Sequence, residues 1–294
     1  MGTPLLLILN PCAGQKKANT LLTDILLAFV QAGYDPMVRL TMARGDATRI
    51  AAEQAASAEL VVCIGGDGTL NETVSGLMQA GIERPVGYIP AGSTNDFAAS
   101  VGLPKRILNA AKAVAHGQIK PLDLGRFNDR YFSYVASFGA FTKTSYSTPQ
   151  NVKNTWGHLA YILSGVKDLP TLTATRMIIE TPDTRLEDEF LFGAVSNATR
   201  IGGVLTLDKR RVRLDDGAFE LLLIRKPAHI GALSRTALAL RNQQYDDENI
   251  VLLSAPTFAF TAAEPTDWTV DGEYAGLLET AAITNLPGAL KLVC

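Results

Sequence analysis

The densest chemistry in the chain lies in eight residues, Gly65-Gly66-Asp67-Gly68-Thr69-Leu70-Asn71-Glu72. Three glycines in four positions let the backbone turn tightly and present its amide N–H groups. The run follows the apolar stretch Leu60–Ile64 and precedes a helical pattern at Leu70, Val74, Leu77 and Met78. Amides at a helix N-terminus carry positive potential suited to phosphate. Asp67, set among such amides, suits a Mg²⁺ shell around a polyphosphate. A tight turn with an ordinary N-cap accounts for the glycines but gives Thr69, Asn71 and Glu72 no purpose. The two commoner glycine motifs fail: Asn71 stands at the third glycine of GxGxxG, and no Lys follows for GxxxxGK[ST]. A dehydrogenase or a P-loop ATPase therefore has little support.

Five further segments carry polar residues where chemistry is conceivable. Asn10-Pro11 closes the apolar run Leu5–Leu9, where Asn10 can hydrogen-bond a nucleotide. Ser93 and Asp96 sit in a second strand-to-helix turn, for which a Ser N-cap is the plainer account. Asp123, between Leu122 and Leu124, is costly if buried unless paired or metal-linked; an exposed face of an edge strand is the alternative. Leu214-Asp215-Asp216-Gly217 and Asp271-Gly272-Glu273 both contain Asp-Gly, a strong turn signal in its own right. His116, His158 and His229 are scattered and compose no catalytic arrangement.

The elements that must position these residues change character along the chain. Up to about residue 121, strand-like and helix-like patterns alternate: strands at Leu5–Leu9, Met37–Leu40, Leu60–Ile64 and Val86–Ile89, with helices over 18–33, from an N-cap at Asp46 through Ala56, from Leu70 to Gly81, from Ser93 to Ser100, and at Ile107–Val114. Such alternation predicts a parallel sheet covered by helices. From Leu122 the chain turns β-rich, with Leu122–Phe127 and Tyr131–Phe138 joined by the hairpin signal Asn128-Asp129. Strands follow at Thr171–Glu180, Phe190–Ser196, Phe219–Ile224, Ile250–Leu253 and Thr257–Thr261, interrupted by helices around Trp156–Leu169 and His229–Leu240. Two domains are expected, 1–121 and 122–294, with the last strand returning to the first.

Composition narrows the function class. Lys plus Arg is 27 against 29 Asp plus Glu, a net charge of −2 that lacks the basic footprint of a nucleic-acid binder. Hydrophobic residues at 47% and charged residues at 19% exclude wholesale disorder. Three distant cysteines, Cys12, Cys63 and Cys294, form no CxxC and argue against a zinc site or a disulfide scaffold. No basic residue precedes Leu5–Leu9, so it reads as a buried strand rather than a signal core. A soluble, cytoplasmic protein is expected.

GGDGTLNE, together with Asn10-Pro11 and Gly92-Ser93-Thr94-Asn95-Asp96-Phe97-Ala98, resembles the diacylglycerol kinase catalytic family, in particular its soluble bacterial lipid kinases. Leu122-Asp123-Leu124-Gly125, Leu214-Asp215-Asp216-Gly217 and Asp271-Gly272-Glu273 continue the pattern in order, nearly end to end. NAD kinases and phosphofructokinases share the GGDG core more distantly. The resemblance implies an α/β N-terminal domain and a mostly antiparallel β-sandwich C-terminal domain, with ATP in the cleft. It implies nucleotide contacts at Asn10, Thr41, Gly65, Gly66, Asp67, Gly68, Thr69, Leu70, Asn71, Glu72 and Ser93. It also implies an acidic, Mg²⁺-organising network of Asp67, Asp96 and Asp123, and a general base at Glu273 in the motif that begins with Asp271. A structural Mg²⁺ is implied at Asp216 with the carbonyls of Arg213 and Ala218. Ala13 departs from the family, which usually has Ser there, and removes a hydroxyl contact to phosphate.

The expected activity is transfer of the γ-phosphate of ATP, with Mg²⁺, to a lipid hydroxyl, with diacylglycerol as the leading acceptor. Another lipid alcohol such as phosphatidylglycerol or a sphingoid base, phosphorylation of NAD, and a non-catalytic binding protein remain open alternatives. The expected partners are a lipid substrate met by transient association at the membrane surface and, in a homodimer, a second copy; no nucleic acid is expected.

Overall fold

A computed structural model describes residues 2–139, 173–201 and 205–294 of the chain. Two compact units are present, Met1–Leu124 with Pro287–Cys294, and Gly125–Leu286. The helix expected around Trp156–Leu169 lies outside the described residues.

In the first unit, β1 (Thr3–Leu9), β2 (Tyr34–Leu40), β3 (Leu60–Gly65) and β4 (Val86–Pro90) form a parallel sheet. Leu292 and Val293, at the end of the last strand, extend it beside β4, so the order is last strand–β4–β3–β1–β2. Helices separate the strands: α1 (Lys17–Thr20), α2 (Leu22–Gln31), α3 (Asp46–Gln54), α4 (Asp67–Gln79), α5 (Asp96–Val101) and α6 (Ile107–His116). One face of the sheet buries Leu5, Leu7, Val62 and Ile64 with Ile25 and Phe29 of α2 and Val114 of α6. The opposite-facing Leu6, Ile8, Val61 and Cys63 are buried too. Burial on both faces is why β1 and β3 read as unbroken apolar runs.

Two helix starts differ from the sequence expectation. Gly45, at φ 84°, rather than Asp46, is the N-cap of α3, and the Asp46 carboxylate reaches back to accept from the amides of Met42 (2.7 Å) and Ala43 (2.9 Å). Helix α5 begins at Asp96, not Ser93, because Asn95 takes a left-handed conformation at φ 53°. The helix expected over 18–33 is two, parted at Leu21.

β5 (Ile119–Phe127) enters the second unit at Gly125, and that unit continues with β6 (Arg130–Phe132), β7 (Val135–Gly139), β8 (Thr175–Glu180), β9 (Arg185–Ser196), β10 (Arg200–Ile201), β11 (Leu205–Thr206), β12 (Phe219–Arg225), β13 (Ile250–Ala255), β14 (Thr257–Val270) and, as far as Leu286, β15 (Glu273–Val293), with α7 at Ile230–Arg241. Phe127 pairs with Arg130 across Asn128-Asp129, the two-residue hairpin that the sequence predicts. The main path runs β13-β12-β9-β7-β14-β15, antiparallel throughout. Strands β7 and β8 lie end to end in one lane, each paired with a different stretch of β9 and of β14. The core centres on Trp268, whose ring lies 5.0, 4.9 and 5.1 Å from those of Phe127, Phe138 and Phe260.

The hairpin joining β14 to β15 is anchored by one carboxylate. Val270 pairs with Glu273, and the two residues between, Asp271 (φ 47°) and Gly272 (φ 81°), both have positive φ, as a tight two-residue turn demands. Buried Asp271 accepts from the amide and hydroxyl of Ser133 through Oδ2 (2.7 and 2.8 Å) and from the amides of Tyr134 and Val135 through Oδ1 (3.1 and 3.0 Å). Burial pushes this carboxyl up from its ordinary value, while the four donors pull it down. Asp271→Ala would strand three buried amides, with an expected loss of about 3 kcal/mol or more in urea unfolding; a loss below about 1 kcal/mol contradicts the anchoring role.

Candidate functional site

The carboxyl ends of β1, β3 and β4 bring the first group of expected residues together. Helix α4 starts immediately after β3, and no side chain caps its N-terminus at Gly66. Gly65 is required here, because a Cβ would lie 2.3 Å from Thr69 Oγ1, which folds back over the turn. A Cβ on Gly92, after β4, would lie 2.5 Å from the Cα of Gly66, so the two strand-to-helix turns touch through glycine.

Asp67 ties these turns together. Its Oδ2 accepts from the amide of Asp96 (2.9 Å), and its Oδ1 accepts from the amide of Phe97 (3.3 Å). The carboxylate thus serves the first turn of α5, where no adjoining side chain caps the helix. Asn95 completes the second turn: its Oδ1 accepts from the Gly92 amide (3.0 Å) and its Nδ2 donates to the Gly92 carbonyl (2.9 Å). The hydroxyl of fully buried Tyr88 lies 3.3 Å from both Asp67 Oδ1 and Asn95 Oδ1, and its single proton serves one of them at a time.

Asn10 belongs to the same edge. Its Nδ2 donates to Thr69 Oγ1 (3.3 Å), and its Oδ1 accepts from the Cys12 amide (2.9 Å). Thr41 is buried one strand away, its amide donating to the Leu9 carbonyl (3.0 Å). Asn71 is half-buried on α4, and Ser93 is exposed in the second turn.

Other expected residues stand differently. Leu70 is fully buried core. Glu72 turns toward α3, where Oε1 accepts from the Gly45 amide (2.9 Å) and Oε2 from the Ala47 amide (3.2 Å), so it caps that helix across α4. Asp96 and Asp123 are both buried, and Asp123 Oδ1 accepts from the amide of Gly288 (2.9 Å). Among the described residues no group of three or more His, Cys, Asp or Glu side chains is placed to hold a metal ion. Asp67, Asp96 and Asp123 therefore do not form a metal cage unaided.

In the second unit, Glu273 is exposed at the start of β15, beside the anchored Asp271-Gly272 turn. Asp216 is exposed, its Oδ1 accepting from the Ala218 amide (3.2 Å), and the Arg213 guanidinium lies 3.7 Å from Asp215. Two residues beyond Ala218, buried Glu220 has its carboxyl pushed up to about 8, chiefly by burial and further by the charge of Asp216. Sequence reasoning passed over Tyr88, Asn95 and Glu220. Tyr88 and Glu220 sit inside apolar strands, and only Glu220, a charge within Phe-Glu-Leu-Leu-Leu-Ile, left a visible signal.

Residues 4–127 match the family model for the diacylglycerol kinase catalytic domain. A diacylglycerol kinase of Bacillus subtilis is 36% identical over 92% of this chain and 90% of its own length. A diacylglycerol kinase of Staphylococcus epidermidis is 33% identical over 92% of this chain and 86% of its own. A crystal structure of a diacylglycerol kinase from Bacillus anthracis superposes with a TM-score of 0.77 at 25% identity, covering 99% of this chain and 97% of that one. Another Bacillus anthracis crystal structure reaches a TM-score of 0.87 at 27% identity, covering 99% and 95%.

The placement of Glu72 gives a direct expectation. Glu72→Ala leaves two amides at the start of α3 without their acceptor and lowers stability by about 1 kcal/mol in denaturant unfolding. Unchanged stability would return Glu72 to a purely ligand-facing role.

Proposed function

Because the chain belongs to the diacylglycerol kinase family and is a kinase, we propose that it transfers the γ-phosphate of ATP to a lipid hydroxyl, with diacylglycerol as acceptor and phosphatidic acid as product. The observation that carries this reading is the match to diacylglycerol kinases over 92% of the chain, far beyond the GGDG turn that NAD kinases share. The finer description of the fold, an α/β nucleotide domain followed by a β-sandwich, belongs to the same reading. No described helix is long and apolar enough to cross a membrane, so the enzyme meets its bilayer-resident acceptor at the membrane surface. A net charge of −2 makes any attraction to anionic lipid local rather than global.

The chemistry follows from groups already placed. The uncapped N-terminus of α4, preceded by Gly65 and Gly66 and carrying Gly68 in its first turn, offers amides to the nucleotide phosphates, with Asn10, Thr41 and Ser93 at the same sheet edge. Ala13 offers no hydroxyl to them. Oxygen donors suit Mg²⁺, which takes one or two carboxylates and completes its shell with substrate phosphates and water, so Asp67 needs no full cage around it. When bound, the ion neutralises charge developing on the transferred group. In the transfer, the acceptor oxygen bonds to the γ-phosphorus as the bond to the leaving ADP oxygen breaks, and Glu273 takes the hydroxyl proton. Glu273 is exposed, so its desolvation must come with the bound acceptor. Asp271 acts by fixing the turn that presents Glu273 rather than by touching substrate. The turn at Arg213, Asp216 and Ala218 is read as a second Mg²⁺ site, an oxygen-only set that suits this ion.

The test is transfer of labelled γ-phosphate to diacylglycerol, phosphatidylglycerol, monoacylglycerol, sphingosine and NAD, with Glu273→Gln as control. Label in diacylglycerol is expected, with turnover falling at least a hundredfold in the variant and ATP affinity unchanged. Label in another lipid alone would reassign the acceptor. Label in NAD alone, or a variant with weakened ATP binding and normal turnover, would overturn the reading.

A further inference from the structure

Strand β4 is buried along its whole length, and Val86, Gly87, Ile89 and Pro90 bring no polar side chain to it. Tyr88 does, and it is fully buried. A phenylalanine would fill the same strand position with no hydroxyl to satisfy, whereas a buried tyrosine hydroxyl needs a partner. This one reaches two acceptors, Asp67 Oδ1 and Asn95 Oδ1, each at 3.3 Å. Both distances exceed the roughly 2.7–2.8 Å of an ordinary O–H···O bond, as one proton divided between two oxygens requires. The ring itself is held by packing against Phe97, with centroids 6.3 Å apart.

The two acceptors belong to the two turns that carry the expected phosphate contacts. Asn95 is fixed, with φ at 53° and both ends of its amide bonded to Gly92. Asp67 is held less evenly. Its Oδ2 accepts from the Asp96 amide at 2.9 Å, whereas its Oδ1 meets the Phe97 amide and the Tyr88 hydroxyl at 3.3 Å each. The phenol therefore supports the more loosely held oxygen and ties it to a side chain that is already anchored. Partners of this kind set the orientation in which a carboxylate meets a metal ion.

We propose that Tyr88 is a positioning residue for Asp67: its shared proton holds the carboxylate in register with Asn95, so that Asp67 meets the Mg²⁺ of a bound nucleotide already oriented. This rests on reading Asp67 as a Mg²⁺ ligand and gives the buried phenol a part in that role.

The test measures ATP affinity of the full chain by calorimetry, in MgCl₂ and separately in EDTA. The wild type, Tyr88→Phe, Asp67→Asn and the double variant are compared. Tyr88→Phe removes one oxygen and keeps the ring, so its melting midpoint should stay within about 4 °C of the wild type. With Mg²⁺ its ATP affinity should fall at least about threefold, and in EDTA it should match the wild type. In the Asp67→Asn background the same substitution should add nothing, because its route to the nucleotide is gone. An equal loss with and without Mg²⁺, or a melting midpoint far below the wild type, would make the hydroxyl a structural bond of β4 instead. Wild-type affinity in both buffers would remove Tyr88 from the site. No effect of Mg²⁺ on wild-type affinity would sink this inference together with the Asp67 reading, while the phosphotransfer assay judges the lipid-kinase reading separately.

Discussion

One carboxylate decides the geometry of the strand-to-helix loops at the carboxyl edge of the parallel sheet. Asp67 is the first residue of α4, yet its oxygens accept from the amides of Asp96 and Phe97 at the start of α5. Two strand-to-helix turns from different parts of the sequence are thereby fixed against each other. Glycine makes the approach possible, since a side chain at Gly92 would collide with the backbone of Gly66. The Tyr88 hydroxyl, rising from β4, lies 3.3 Å from Oδ1 of the same carboxylate and shares its proton between that oxygen and Asn95 Oδ1. The outcome is a pair of turns joined by their own polar groups, with no side chain capping the N-terminus of α4.

The same economy recurs elsewhere. Glu72 caps α3 from α4, Asp123 holds the returning chain at Gly288, and Asp271 gathers three consecutive amides and a hydroxyl into the β14–β15 hairpin. Of these, Asp271 fixes the turn that ends at Glu273, while Glu72 and Asp123 fix backbone at Gly45, Ala47 and Gly288, away from the expected ligand contacts. Preorganised backbone of this kind is what phosphoryl transfer requires, since positioning and electrostatics supply most of its acceleration.

Local patterns were legible wherever local physics decides structure. The alternation of apolar runs and helical periods placed β1, β3, β4 and α6 within a residue or two, and Asn128-Asp129 marked its hairpin. Long-range pairing was not legible. Thr257–Thr261 and Trp268–Val270 look like separate segments because Pro265 lies between them; both belong to β14, whose register slips at that point. Strand β15 runs 21 residues through Gly276, Pro287 and Gly288, where no period survives. At the site, the glycines and Asp67 announced a tight strand-to-helix turn, but the partners of Asp67 and Glu72 lie on other elements and left no mark in sequence spacing. Tyr88 was hidden because a strand that is buried on both faces disguises a tyrosine as core.

The most direct measurement is amide hydrogen exchange at Asp96 and Phe97 in the wild type and in Asp67→Asn, joined to ATP affinity on the same samples. Replacing one oxygen by an amide nitrogen sets a donor against an N–H, so protection at both amides should fall about tenfold or more, with ATP binding weakened in parallel. Protection that survives the substitution, with ATP bound as tightly as before, would show that Asp67 does not join the two turns on which the rest of the account depends.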